Sequence, residues 1–106
     1  MLGNAAAIAP AIDEVRALAR RLDEWVVRTP VVRCRNLEIG IGSGAELWGK
    51  LEFLQQTGTF KPRGALSNVL NTDPDELAAG VTAVSAGNHA IATAFAARCT
   101  GVHAKV

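Results

Sequence analysis

Two short segments of the sequence carry side chains that could do chemistry. The first is centred on Lys61, which follows the run Thr-Gly-Thr-Phe and precedes Pro62, Arg63 and Gly64. A neutral lysine amine forms a Schiff base with an aldehyde, and a helix start with a neighbouring cation, here Arg63, favours the neutral form. The simpler interpretation is a surface lysine whose aliphatic stem covers apolar neighbours, which is the commoner use of this residue.

The second segment follows a predicted strand and precedes a predicted helix. Its residues are Ser85, Ala86, Gly87, Asn88 and His89. A hydroxyl, an amide and an imidazole meet the N–H groups of a helix start here, and such an arrangement favours a carboxylate or a phosphate. The pattern differs from dinucleotide-binding and Walker-type loops. A plain helix cap by Ser85 or Asn88, beside a solvated histidine, is the simpler interpretation.

The elements that must position these segments begin with an amphipathic helix. Asp13 and Glu14 fall in its first turn, where acidic side chains interact well with the helix dipole. Pro10 suits the helix start and Pro30 ends the run. Apolar residues recur at spacings of three and four, as a buried helix face requires, at Ile12, Val15, Leu18, Leu22 and Trp25.

The middle of the chain predicts two extended segments and a second helix. Residues 31–32 begin the first segment, residues 39–45 form a glycine-rich turn, and residues 46–52 alternate apolar and charged side chains as a strand does. A helix can begin at Pro62, because proline is favoured in a first helical turn. Lys61 is therefore expected at a helix start.

The last third of the chain predicts a βαβ unit. Residues 81–84 are typical of a short buried strand, and residues 90–100 form an alanine-rich helix that Gly101 ends. Residues 102–106 begin another strand. This order implies a parallel sheet and an α/β fold.

The composition of the chain limits the size of its domain and the kinds of partner that it can be expected to bind. The chain has 106 residues, 49% of them hydrophobic, which is enough for a core in one small domain. Its 11 basic and 10 acidic residues are scattered, so neither nucleic acid nor a membrane is expected as a partner. Residues 1–10 lack the basic start of a secretory signal, so a cytoplasmic location is expected. Cys34 and Cys99 lack the spacing of a zinc site or a disulfide framework and are predicted to be reduced, partly buried thiols.

Together the two segments resemble a known family. The residues from Lys50 to Ala65 read Lys-Leu-Glu-Phe-Leu-Gln-Gln-Thr-Gly-Thr-Phe-Lys-Pro-Arg-Gly-Ala, and residues 84–90 read Val-Ser-Ala-Gly-Asn-His-Ala. Both are similar to the threonine/serine dehydratases, which are pyridoxal-phosphate-dependent enzymes of the tryptophan synthase β-like fold, fold type II. The resemblance covers roughly residues 25–106. It implies a partial fold of this type, with an open parallel sheet and flanking helices.

The resemblance implies a role for each matching residue. Lys61 matches the lysine that holds pyridoxal 5'-phosphate as a Schiff base and then moves the α-proton of a small amino-acid substrate. Phe60 matches an aromatic neighbour of the cofactor, and Asn88 an asparagine that hydrogen-bonds its phenolic oxygen. The loop that grips the substrate carboxylate corresponds to Ser85, Ala86, Gly87, Asn88 and His89. The implied reaction is an ammonia-lyase reaction, which eliminates hydroxide and releases a 2-oxo acid and ammonia.

Two related reactions are disfavoured by single residues. Ala86 stands where serine racemases similar to this family carry a second serine, so the resemblance favours a dehydratase over an amino-acid racemase. Pro62 and Arg63 replace the Asp-Arg of cysteine synthases, which disfavours β-replacement.

The resemblance also implies a domain division. Residues 1–71 would open the larger cofactor domain and residues 72–106 the smaller one, with the cofactor between them. Val106 falls inside an apolar extended run, so we expect the sequence to be the amino-terminal part of a longer enzyme and the 106-residue chain alone to be inactive. The alternative is a non-catalytic remnant, or a chain that pairs with a complementary chain or with itself as a homo-oligomer.

Overall fold

The computed structural model describes residues 9–106 as a set of short α-helices and β-strands. Residues 1–8, which include most of the stretch judged to lack a secretory signal, lie outside the described residues. The elements in chain order are α1 Ile12–Leu22, β1 Val31–Arg33, α2 Arg35–Ile41, β2 Trp48–Lys50, α3 Lys61–Asn71, α4 Pro74–Leu77, β3 Val81–Thr82, α5 Asn88–Thr100 and β4 Ala104–Lys105. Single 3₁₀ turns at Glu52–Leu54 and Gln56–Gly58 connect β2 to α3.

The first helix is confirmed, with shorter bounds than predicted. Pro10 lies before its first turn, and the Ala11 N–H donates to Glu14 Oε2 at 2.8 Å, which satisfies one of the free donors at the helix start. The helix ends at Leu22, well before Pro30, since the N–H groups of Trp25 and Val26 both return to the Leu22 carbonyl.

The predicted glycine-rich turn at residues 39–45 is wrong in part, because α2 occupies residues 35–41. A tertiary contact stabilises this helix. Glu38 accepts hydrogen bonds from Arg33 Nε at 2.8 Å and from the Leu47 N–H at 2.9 Å. One carboxylate thus connects the helix to β1 and to the residue that directly precedes β2. The turn that remains is shorter, and its residues with positive φ are Gly42, Ser43 and Gly44.

The two predicted strands do pair, although a helix separates them. β1 and β2 run antiparallel, with Val31 opposite Lys50 and Arg33 opposite Trp48. The second strand is confined to three residues rather than extending over 46–52. Because β2 ends at Lys50, the turns that precede Lys61 begin only two residues later, at Glu52.

The core lies where α3 packs against α5, with one residue of α1 beside it. Leu66 of α3 is fully buried, and α5 presents alanines that allow the two helices to approach closely. The buried apolar cluster consists of Leu22, Ala65, Leu66, Val69, Ala92 and Ala96. Because α3 begins at Lys61 and α5 at Asn88, this core fixes the two candidate segments relative to each other.

The βαβ unit is confirmed, and β3 and β4 are parallel, with Val81 opposite Ala104. The predicted burial of the first strand is wrong. It spans two residues rather than residues 81–84, Thr82 is exposed, and the Val84 side chain is fully exposed. Val81 is half-buried and packs against the core cluster, whereas Val84 lies beyond the end of the strand and reaches solvent.

The remaining expectations concern thiols, metals and membranes. Cys34 and Cys99 are free and half-buried, as predicted. Within residues 9–106, no three His, Cys, Asp or Glu side chains gather as a metal site would require. Over the same part of the chain, none of the helices combines the length and the apolarity that crossing a bilayer demands.

Candidate active site

Lys61 is the first residue of α3, as the sequence predicts, and its side chain is half-buried. Its backbone N–H donates to Thr59 Oγ1 at 3.3 Å. The Lys61 Nζ atom lies 5.2 Å from the centroid of the Phe60 ring, and that ring is 61% exposed. No ion pair of Lys61 is found within residues 9–106. The amine is therefore accessible, without an acidic partner there, and has an aromatic face beside it.

The first turn of α3 is rigid because of the residue that follows the lysine. Pro62 is fully buried and occupies the first turn, where its missing N–H costs no intrahelical hydrogen bond. Its fixed φ angle favours the helical start. The buried Pro62 ring therefore restricts the movement of the backbone that carries Lys61.

Arg63 does not act as the free cation beside Lys61 that the sequence analysis expected. Its Nε and Nη2 atoms donate to Glu52 Oε2 and Oε1 at 2.8 and 2.9 Å, which is a two-pronged ion pair. Its charge is therefore balanced by Glu52. This is a correction to the electrostatic part of the Lys61 prediction.

Glu52 is the centre of a polar network under the helix start. Besides Arg63, it accepts a hydrogen bond from Thr29 Oγ1 at 2.5 Å, and Thr29 is only 3% exposed. The hydrogen bonds from Arg63, helped by Thr29 and nearby positive charge, lower the pKa of Glu52 from 4.5 to about 2. The same hydrogen bonding raises the pKa of Arg63. The pair is consequently charged at all physiological pH values.

A buried amide connects the same region to the turn before α3. Gln55 donates from Nε2 to the Val27 carbonyl and accepts at Oε1 from the Val27 N–H, both at 2.8 Å. The Gln55 Oε1 atom also accepts from the Gln56 N–H at 2.9 Å. Both ends of this buried amide are thus hydrogen-bonded, and both hold backbone in place.

The turn that leads into the lysine has an uncommon backbone. Thr57 and Gly58 both have positive φ, at 66° and 75°. Positive φ is common for glycine and strained for a β-branched residue such as threonine. Thr57 Oγ1 is buried with no hydrogen-bond partner among the described residues. This turn packs against α5.

The segment of residues 85–89 contains a loop and a helix start as predicted, but α5 begins at Asn88 rather than at residue 90, and its capping differs. Gly87 is the N-cap residue of α5, and Ser85 Oγ accepts from the Gly87 N–H at 3.2 Å instead of capping the helix. Asn88 and His89 are the first two helical residues and are exposed. Because these two residues lie in the first turn, their backbone N–H groups have no acceptor within the helix and point toward the helix start.

The space around this loop is open. A Cβ atom built on Gly87 meets no atom of residues 9–106 within 4 Å. A groove of about 630 Å³ lies at the carboxyl end of β3, lined by Val84, Ser85, Ala86 and residues of both strands. In open parallel sheets, ligands bind at the carboxyl ends of the strands.

The structure brings the two segments onto neighbouring helices. His89 lines a cavity of about 190 Å³ together with Ala65 and Val69 of α3. Lys61 stands four residues before Ala65 and therefore lies on the same face of α3. Within residues 9–106, no hydrogen bond joins Lys61 to Asn88 directly.

The sequence analysis did not identify the polar residues whose hydrogen bonds support the start of α3, which are Thr29, Glu52 and Gln55. The only sequence signal for this network was the presence of a carboxylate, Glu52, and an amide, Gln55, shortly before a predicted helix start. A local pattern could not predict their hydrogen-bond partners, because Val27 and Thr29 lie more than twenty positions earlier in the sequence.

Residues 22–106 match the profile of a family described as Pyridoxal-phosphate dependent enzyme. The chain belongs to this family, and pyridoxal phosphate is the family's cofactor. The fold agrees with the fold type II enzymes among its structural relatives.

Individual relatives include a dehydratase, a racemase and a deaminase. The chain is 48% identical to phenylserine dehydratase of Ralstonia pickettii, over 92% of this chain and 29% of that protein. Maize serine racemase has a TM-score of 0.76 at 36% identity, over 91% of this chain and 30% of that one. The T.th. threonine deaminase has a TM-score of 0.73 at 41% identity, over 92% of this chain and 34% of that one. The sequence thus spans about a third or less of the length of these relatives.

The described residues fit the family's cofactor. The primary amine of Lys61 is half-exposed, as attack on an aldehyde requires, and an exposed aromatic face lies beside it. The open backbone at Gly87 and the N–H groups of the α5 start suit an anionic group.

Proposed function

We propose that this sequence belongs to a dehydratase of β-hydroxy amino acids, an ammonia-lyase that forms a 2-oxo acid and ammonia. The observation that carries the proposal is Lys61, a half-buried amine at the start of α3, beside the exposed Phe60 ring. Its helix packs on α5, whose start is the loop that ends in Gly87. The phenylserine dehydratase and the threonine deaminase among the relatives support this choice of reaction.

Each residue of the site has a role in the proposal. When bound, pyridoxal phosphate supplies an electron-poor ring that accepts the electron pair released at the α-carbon of an amino acid. Lys61 Nζ would hold the cofactor and, once the amine of the substrate has replaced it there, would carry the α-proton, and Phe60 would cover one side and exclude water. The side-chain amide of Asn88 donates a hydrogen bond toward the cofactor.

The substrate carboxylate is assigned to the loop before α5. Ser85 Oγ and the N–H groups of Asn88 and His89 provide donors there, and the helix dipole adds partial positive charge. Gly87 leaves room for the carboxylate to approach the backbone. Ala86 completes this loop without adding a donor on its side chain.

Amino-acid racemisation is the second candidate, favoured by the similarity to maize serine racemase. Moving a proton between two faces of the α-carbon needs a second acid or base opposite the lysine. Ala86 has no group that can do this. The proposal therefore favours elimination.

The domain division and the assembly are part of the same proposal. We assign residues 1–71 to the opening of a larger domain and residues 72–106 to the opening of a smaller one. The substrate is a small amino acid, and pairing with a second copy or with a complementary chain would cover the exposed apolar residues near β3, such as Val84.

The test is product analysis in the protein that carries this sequence. With pyridoxal phosphate and L-threonine, L-serine or L-phenylserine, we expect a 2-oxo acid to form and little D-serine. Lys61→Arg retains the positive charge but cannot form the Schiff base, so it should abolish the 2-oxo acid. Formation of D-serine as the main product would favour the racemase instead, and an unchanged rate in Lys61→Arg would overturn the role of Lys61.

A further inference from the structure

We propose that Glu52, Arg63 and Gln55 are positioning residues that hold the start of α3, and with it the Lys61 amine, in the place needed for cofactor attachment. The proposal rests on the proposed function of Lys61. It assigns to these three residues an effect on the rate at which the lysine reacts, beyond their contribution to folding. None of the three side chains needs to touch the cofactor.

One backbone carbonyl links both sides of the lysine. The Val27 carbonyl accepts a hydrogen bond from Gln55 Nε2 at 2.8 Å and another from Arg63 Nη2 at 3.1 Å. Gln55 lies before Lys61 in the chain and Arg63 lies after it. The segment that carries the lysine is therefore fastened at both ends to a single point.

The ion pair strengthens this attachment. Glu52 binds Arg63 through two parallel hydrogen bonds and also binds Thr29, two residues beyond Val27. Lys50 Nζ donates to the Thr29 carbonyl at 2.6 Å, which holds the same short segment from the side of β2. The planar guanidinium fixes direction as well as distance, which a lysine at this position would not do.

The hydrogen bonds of Arg63 affect the position of Lys61 because both residues belong to the first turn of α3. Arg63 is the third residue of α3 and Lys61 the first, and the rigid Pro62 ring stands between them. A shift of Arg63 is thus passed directly to the Cα of Lys61. The turn before the lysine holds Thr57 at a strained positive φ and packs against α5, which limits how far it can absorb such a shift. Reactive groups lose rate steeply when displaced by about 1 Å.

The experiment follows the attachment of pyridoxal phosphate to Lys61 over time in the protein, by borohydride reduction and peptide mass mapping at several cofactor concentrations. The variants are Glu52→Gln and Arg63→Lys, and the second keeps the charge in case the first folds poorly. Glu38→Gln is the matched control, since Glu38 is also paired with an arginine and is 14% exposed against 16% for Glu52. Near-ultraviolet circular dichroism gives the folded fraction of each protein.

We expect both variants to lower the saturating attachment rate by about tenfold or more, with the half-saturating cofactor concentration changed little. Glu38→Gln should keep the rate of the unaltered protein. A purely structural role would lower the labelled fraction in proportion to the folded fraction and leave the rate unchanged, and that result overturns the positioning proposal alone. Absence of label on Lys61 in the unaltered protein overturns the proposed function and this inference together.

Discussion

Glu52 is a carboxylate whose side chain is only 16% exposed, and it lies beside the first turn of α3. It is paired with Arg63 and receives the Thr29 hydroxyl, so its ionised form is favoured in the folded state. A pKa near 2 is well below the ordinary 4.5. Its contribution to stability is therefore present above about pH 4.5 and is lost as the pH falls toward 2.

The pH dependence of unfolding tests this ion pair. Between pH 7 and pH 3 the unaltered protein should lose about 2 kcal/mol of unfolding free energy through Glu52, because the unfolded state takes up the proton first. Glu52→Gln cannot take up that proton and should lose correspondingly less over the same range. Urea unfolding at the two pH values measures the difference. Equal losses in both proteins would show that Glu52 has an ordinary pKa.

Asn88 gives a second prediction at the level of a single residue. Its side chain is exposed at the start of α5 and caps no helix within residues 9–106, so Asn88→Ala should change the unfolding temperature little. Loss of one hydrogen bond to the cofactor should weaken pyridoxal phosphate binding by about tenfold. Fluorescence titration measures this affinity. Tight binding by the variant would remove Asn88 from the cofactor site.

The elements show where sequence patterns suffice and where they fail. The apolar spacing that predicts α1 and the order of β3, α5 and β4 are local signals, and the structure confirms these elements. The predicted buried face of α1 is wrong in part, because Ile12 and Val15 are exposed and only Leu22 is buried. The helix α2 was missed because Gly40 and two isoleucines are poor helix formers. Its stability comes from Glu38, which reaches Arg33 and Leu47.

The same distinction applies to the candidate site. Lys61 and the loop of residues 85–89 could be located from residue types and spacing, since a helix start is a local feature. The network of Thr29, Glu52 and Gln55 depends on contacts across more than twenty positions for Thr29 and Gln55. The expected burial of β3 failed for a related reason, because burial depends on which elements pack on a strand rather than on its own residues.

Two glycines offer a matched test at the level of elements. Gly80 has a φ of 84°, and a Cβ there would lie 2.7 Å from the His103 carbonyl oxygen, so Gly80→Ala should disrupt the pairing of β3 with β4. Gly64 lies inside α3 with open space around it, so Gly64→Ala should stabilise the protein by about 0.5 to 1 kcal/mol. Thermal unfolding distinguishes the two. A Gly80→Ala variant as stable as the unaltered protein would contradict the close approach at His103.

At the scale of the whole molecule, one small core relates two chemically distinct segments. The helix that starts at Lys61 and the helix that starts at Asn88 share buried apolar residues, so the amine and the loop before α5 belong to one packed unit. The sequence covers between 29% and 34% of the relatives described above. The groups proposed here for the amine and the substrate carboxylate all lie within that share.

The central claim is that Lys61 is the residue that binds pyridoxal phosphate, and one labelling measurement tests it most directly. The chain has three lysines, Lys50, Lys61 and Lys105, so each serves as a control for the others. After incubation with pyridoxal phosphate, borohydride reduction and proteolysis, mass mapping should find the reduced adduct on Lys61. Lys50, which donates to the Thr29 carbonyl, and Lys105 should carry little label. Label spread evenly over the three lysines, or absent from Lys61, would contradict the account.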